Sequence, residues 1–181
     1  PTSQWPLVVG FSDITALHAL MSLHGVPSLH ASMCKALATL PDDAHALSLL
    51  REVLEGKLHL EEVIGEGRNI IGGNLSVLYG LQGTPYSLNA IIDNCVEPPV
   101  LLIEDICERH YHIDRMMNNL RLSGVLSRLS GVIVGQFTDC DDDPKMGCTL
   151  RETLQYYLDQ YDYPVVWDAP YGHEDDNRPI M

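Results

Sequence analysis

Three apolar runs of strand character each deliver a residue of reactive type, and the segments between them repeat at helical spacing. Leu7-Val8-Val9-Gly10-Phe11 precedes Ser12, and Val100-Leu101-Leu102-Ile103 precedes Glu104. A third run, from Val165 to Gly172, leads to His173. Strands separated by helices call for an α/β architecture with parallel pairing, because each return crossing needs a helix. Ligands of such sheets bind at the carboxyl ends of the strands. A hydroxyl, a carboxylate and an imidazole brought to one such edge are the parts of an acyl-transfer triad. The order Ser, acid, His is also the one used by α/β-hydrolases.

The intervening pattern fills in the rest. Residues 5–11 read as a buried strand and 13–24 as a helix, with Ile14, Leu17, Leu20 and Met21 at helical spacing and Gly25 ending it. A second helix is expected over 43–55, closed by Gly56, then a short strand over 58–64 and a turn at Gly65-Glu66-Gly67. Ile70-Ile71-Gly72-Gly73-Asn74 leads into a helix over about 75–82, stopped by Gly83-Thr84-Pro85. Strands over 100–104, 131–135 and 164–167 alternate with helices over about 111–122 and 149–160. The expected organisation is residues 1–56 as one α/β unit with the Ser12 turn, 57–69 as a crossing, and 70–181 as a second α/β unit holding Glu104 and His173.

Composition excludes several classes. With 25 acidic residues against 11 basic ones the net charge is −14, a field that repels phosphate backbones and makes nucleic acid a poor partner. Five scattered cysteines without a CxxC pair fit reduced thiols in a reducing compartment. No apolar run reaches the ~20 residues of a membrane span, and no signal peptide is read, so the expectation is a cytoplasmic protein without a membrane partner.

Gly10-Phe11-Ser12-Asp13 joins strand to helix in the manner of a nucleophile elbow, with the Asp13 amide next to the developing oxyanion. Ile14 stands where G-x-S-x-G has its second glycine, and the rival reading is a Ser12 that only caps the helix. Glu104 and Asp105 could orient a histidine, bind a metal or cap a segment. His173 follows Gly172 on a loop, a place suited to a general base but also to an uninvolved surface histidine. His110 and His112, with Glu108 and Asp114 nearby, lack H-E-x-x-H and read as core or surface histidines. The acidic stretch with Asp139, Asp141, Asp142 and Asp143 has Pro144 and Leu150 where a calcium loop needs Gly and Glu, so it reads as a solvated turn. Gly72-Gly73-Asn74 could cradle an anion, but a close backbone approach is the preferred reading. Met116 and Met117 belong to a helix core.

Seven segments in order resemble the LD-carboxypeptidase family, the serine peptidases of murein recycling. They are Gly10-Phe11-Ser12-Asp13-Ile14-Thr15-Ala16-Leu17, Gly72-Gly73-Asn74-Leu75, Gly83-Thr84-Pro85 and Leu102-Ile103-Glu104-Asp105-Ile106, then Ile113-Asp114-Arg115-Met116, Gly135-Gln136-Phe137-Thr138 and Gly172-His173. The resemblance implies Ser12 as nucleophile, His173 as general base, Glu104 as its orienting acid and the Asp13 amide as one oxyanion donor. It implies a murein peptide substrate, cut at the L,D bond between meso-diaminopimelate and terminal D-alanine. No cofactor and no metal are implied, and a homodimer is. The implied fold is the remnant of a parallel Rossmann-like domain carrying the elbow, plus a C-terminal domain with a mostly parallel sheet.

The sequence departs from the family in places. The family's upstream third, with its Gly-Gly-Tyr-Gly-type motif, and its last strands are absent here. His30-Ala31-Ser32-Met33 stands where the family has His-Gly-Pro-Met. Loss of one oxyanion donor costs about 10²–10³ in turnover, so the parent protein is expected to be an active peptidase and these residues alone weak or inert. Two rival readings are a microcin-immunity-type peptidase with the same triad, and a non-catalytic peptide-binding or structural fragment.

Overall fold

The structure is a computed structural model and describes residues 5–57 and 69–180. The strand expected over 58–64 and the turn at 65–67 lie outside the described residues. The first part runs β1 (Val9–Gly10), a 3₁₀ turn (Ser12–Ile14), α1 (Thr15–Leu23), β2 (Leu29–His30), α2 (Cys34–Thr39) and α3 (His45–Leu54). The second part runs β3 (Ile70–Asn74), α4 (Leu75–Gly80), α5 (Leu88–Asn94), β4 (Val100–Ile106), α6 (His110–Leu122), β5 (Gly131–Thr138), α7 (Leu150–Leu158) and β6 (Val165–Val166).

Among the described residues every pair of these strands is parallel, and one isolated antiparallel bridge joins His30 of β2 to Ile180. β1 and β2 form a two-stranded sheet, and β3-β4-β5-β6 form a four-stranded one in sequence order. The α/β class with parallel sheets, expected from the alternating runs, is therefore found. Val100-Leu101-Leu102-Ile103 is an unbroken apolar run because β4 is central and covered on both faces. Leu101 and Ile103 face a core with Ile113, Met117 and Leu120 of α6 and with Leu154 and Leu158 of α7. Val100 and Leu102 face the other way, onto Ala169, Tyr171 and Ile180 of the C-terminal segment. Each such buried aliphatic side chain stabilises the fold by about 1.5–3 kcal/mol. That second cover is what carries His173 to the sheet.

Helix ends follow local chemistry. Asn74 caps α4 by accepting from the Val77 amide, and Thr149 with Glu152 forms a reciprocal capping box at α7. The strand expected over 5–11 is reduced to Val9–Gly10, since its described partner β2 is itself two residues long and Leu7 is 53% exposed. The strand expected to stop at Glu104 continues to Ile106. Among the described residues no helix is long and apolar enough to cross a membrane.

Candidate active site

Glu104 lies within β4 at a fault in the ladder. Ile103 is in register with Val134 and Asp105 with Phe137, so Gly135 and Gln136 of β5 stand against Glu104 alone. Such a bulge re-aims side chains and commonly marks a site. The Glu104 residue is 0% exposed, and its Oε2 accepts from Nδ1–H of His173 at 2.8 Å. Burial pushes the Glu104 carboxyl up, while the hydrogen bond and charge of His173 pull it down. Proximity to Asp105 raises it further and the Asn74 amide opposes that. With Nδ1–H so committed, the lone pair of a neutral His173 resides on Nε2.

The loop bearing His173 is tied down along its length. The Gln136 amide donates to the Tyr171 carbonyl at 2.8 Å, and the Gly172 amide donates to Oδ1 of buried Asn177 at 3.1 Å. Thr138 Oγ1 donates to Glu174 at 2.9 Å. A Cβ on Gly135 would stand 2.3 Å from the Tyr171 carbonyl oxygen, so only glycine lets the loop descend onto β5. A glycine inside a buried strand is the signal for such an approach.

Ser12 occupies the first position of the 3₁₀ turn after β1, with φ 59°. That left-handed conformation costs about 1–2 kcal/mol for a non-glycine residue and persists only where neighbours impose it. No side-chain cap bond is made at the start of this turn or of α1, so Ser12 does not serve as a cap. Asp13 follows in the first turn, where amides lack intrahelical partners. The departure at Ile14 has a physical reason. A Cβ on Gly10 would be 2.8 Å from Ile14 Cγ1, so the branched side chain fills the space that Gly10 leaves.

Ser12 and His173 meet through Phe11, whose ring is 4.8 Å from the imidazole centroid at an interplanar angle of 62°. Among the described residues no hydrogen bond joins the Ser12 hydroxyl to His173. The structure thus brings His173 onto Glu104 directly and sets the Ser12 turn against His173 by one aromatic contact. Phe11, Asn177 and Gly135 were not singled out for these roles by sequence reasoning, although Gly135 carried the signal just described.

A second polar chain ties the Ser12 helix to β4. Thr15 Oγ1 accepts from the Asn74 amide at 2.9 Å, and Asn74 Nδ2 donates to Asp105 Oδ1 at 3.0 Å. Asp105 Oδ2 accepts from the amide and the hydroxyl of Ser76. Of the two adjacent carboxylates, Asp105 braces the start of α4 and Glu104 serves His173. The Gly72-Gly73 pair is the expected close approach. Added Cβ atoms there would meet the Leu102 carbonyl at 2.2 Å and Thr15 Oγ1 at 2.5 Å.

Other constellations resolve as structure. The His110 ring is buried between Thr153 Oγ1 at 2.7 Å and the Asp143 amide at 3.2 Å. His112 pairs with Glu108 one turn away. Asp142 accepts from the Leu150 amide at the start of α7, and Asp143 accepts from the Lys145 amide. Met116 and Met117 are buried in the main core.

Residues 66–181 match the family model of the LD-carboxypeptidase C-terminal domain. The murein tetrapeptide carboxypeptidase of Pseudomonas aeruginosa is 26% identical over 94% of this chain, which covers 59% of that protein. The crystal structure of muramoyltetrapeptide carboxypeptidase from Oxalobacter formigenes superposes with a TM-score of 0.76 at 25% identity, over 96% of this chain and 61% of that one. A likeness of fold alone extends to MccF in complex with glutamyl sulfamoyl guanosine, with a TM-score of 0.68 at 18% identity, over 94% of this chain and 60% of MccF. This chain therefore spans about three fifths of these proteins. The parallel sheets and the family match over most of its length agree: the chain belongs to the LD-carboxypeptidase family.

Proposed function

We propose that this chain carries the catalytic residues of a serine LD-carboxypeptidase acting on murein peptides. The observation that carries the reading is the buried 2.8 Å bond between Glu104 and His173 at the bulge of β4, with the Ser12 turn packed on the same imidazole through Phe11. In this reading Glu104 fixes the His173 tautomer and stabilises the imidazolium that forms during reaction. His173 Nε2 takes the proton of Ser12 as Oγ attacks the carbonyl of the L,D amide bond. The Asp13 amide donates to the oxyanion, and His173 then protonates the leaving D-alanine amine. Water, deprotonated by His173, cleaves the acyl-enzyme and frees the shortened muropeptide. The same reading carries a homodimer in the cytoplasm.

The test is release of D-alanine from a murein tetrapeptide. Turnover by the parent protein that disappears in Ser12→Ala, with the fold intact, supports the assignment. Undiminished turnover in Ser12→Ala rejects it. Assaying an aminoacyl sulfamoyl nucleoside alongside separates the murein reading from an immunity-type peptidase. Preferential cleavage of that compound moves the substrate class and leaves the triad in place.

A further inference from the structure

Two buried histidines lie behind the Ser12 turn and have no part in the chemistry above. His18 is on α1, the helix that follows Ser12. Its Nε2 lies 2.9 Å from the carbonyl oxygen of Gly10, the last residue of the strand that precedes Ser12. A carbonyl only accepts, so Nε2 carries the proton. Nδ1 is then the acceptor for the Ser28 hydroxyl at 2.8 Å. The Gly10 carbonyl also accepts from the Ala31 amide at 3.0 Å, so strand β1 is gripped by β2 and by the helix that leaves it. The side chain closes a loop around the turn, from residue 10 to residue 18, with Ser12 inside it.

His30, on β2, fills the space beside it. Its ring is 6.2 Å from that of His18 and 6.0 Å from that of Phe11. It is 5% exposed, and neither ring nitrogen has a partner among the described residues. His18, His30, Ser22 and Ser28 help line a cavity of about 20 Å³, room for one water. Burial lowers the pKa of His18, and burial first, then the neighbouring histidines, lowers that of His30 to about 3. A neutral His18 has a single N–H, and the Gly10 carbonyl takes it.

We propose that His18 is a positioning residue for Ser12: its Nε2–H bond to the Gly10 carbonyl holds the strand-to-helix turn in the left-handed conformation that presents the Ser12 hydroxyl to His173. The inference rests on the proposed role of Ser12. A turn with φ 59° relaxes unless it is over-determined, and beside the packing of Ile14 on Gly10 the His18 side chain spans it with a hydrogen bond. A displacement of about 1 Å in a reacting group costs about 10²-fold in rate.

The test compares His18→Leu, which has no donor, with His18→Gln, whose amide can reach for the same carbonyl. For His18→Leu the expectation is a loss of about 10- to 100-fold in kcat with KM little changed. His18→Gln is expected to recover most of that loss, while both variants melt within a few degrees of each other. Wild-type kcat in His18→Leu, or equal losses in both variants, overturns the proposal. A second measurement is independent of turnover and of the stability of variants. Ring ¹⁵N NMR of the unsubstituted protein should report His18 as the Nε2–H tautomer. An Nδ1–H tautomer overturns the proposal outright. If the parent protein, carrying these residues in their natural context, neither releases D-alanine nor labels at Ser12 with a phosphonate, the functional reading has failed, and the tautomer still decides whether His18 holds the turn.

Discussion

Glu104 and His173 rest on a four-stranded sheet covered on both faces, whereas Ser12 leaves a strand of two residues with one described partner. The first region is over-braced. A buried ion-pair-type bond, a bulge and three loop hydrogen bonds fix one imidazole. The second region holds a strained backbone with a few specific contacts, among them Gly10 against Ile14, His18 on Gly10 and Thr15 on Asn74. His173, the proposed base, is held by architecture, and Ser12, the proposed nucleophile, by individual side chains. Substitutions in the base region should therefore act through charge or gross collision, and those in the nucleophile region through loss of single bonds.

The largest effect is expected for Glu104→Gln, which keeps the shape but removes the charge that holds the His173 tautomer. Turnover should fall by about 10³–10⁴ with the fold retained, as read by D-alanine release and circular dichroism. A loss below tenfold would show that His173 is oriented by its loop alone. Next is Gly135→Ala. The added methyl meets backbone at 2.3 Å, so the His173 loop must shift, and a loss of at least about 10² in kcat is expected with about 1–3 kcal/mol of destabilisation by urea titration.

Thr15→Val sharpens the contrast from the other side. It is nearly isosteric and leaves the buried Asn74 amide without its acceptor, at a cost of about 1–3 kcal/mol in unfolding free energy. Its effect on kcat should exceed that of an equally destabilising change in the main core, such as Leu154→Val, because it also frees the Ser12 helix from β3.

The smallest effect concerns acid. His30 keeps its proton off until about pH 3 when folded, while its unfolded value is 6.5. Between those values the unfolded chain binds more protons, so stability rises with pH, by about 1.4 kcal/mol per pH unit for one proton. The lowered His18 acts in the same direction. Glu104 and Asp105, both raised by burial, act oppositely, losing stability as pH climbs from their unfolded values of 4.5 and 3.8. The prediction is thus a difference. His30→Phe should lose less stability than the parent between pH 6.5 and pH 5, measured by urea midpoints. Equal losses would place His30 in contact with solvent.

Much of this molecule was legible in the residues, for reasons that differ by region. The runs at 100–103 and 131–135 announce central parallel strands because burial on both faces leaves no room for polar alternation. The helix at 13–24 was legible from its spacing and from Gly25. Short elements carried no such signal: β2 has two residues, and α2 and α5 are six and seven residues long. The three candidate catalytic residues could be picked out because each follows an apolar run. Their mutual arrangement was not, since the Gly135–Gln136 bulge, the Asn177 anchor and the Phe11 contact depend on segments far apart in the chain. Nor could sequence spacing separate Glu104 from Asp105. Only packing shows that one meets His173 and the other braces α4.

The most direct test of a working Ser12, His173 and Glu104 assembly is reaction with a serine-directed fluorophosphonate, read by mass spectrometry of the adduct. An activated hydroxyl attacks phosphorus and expels fluoride. The account predicts one adduct, on Ser12, that is lost in His173→Gln. An adduct that persists in His173→Gln, or that forms at another residue, contradicts it.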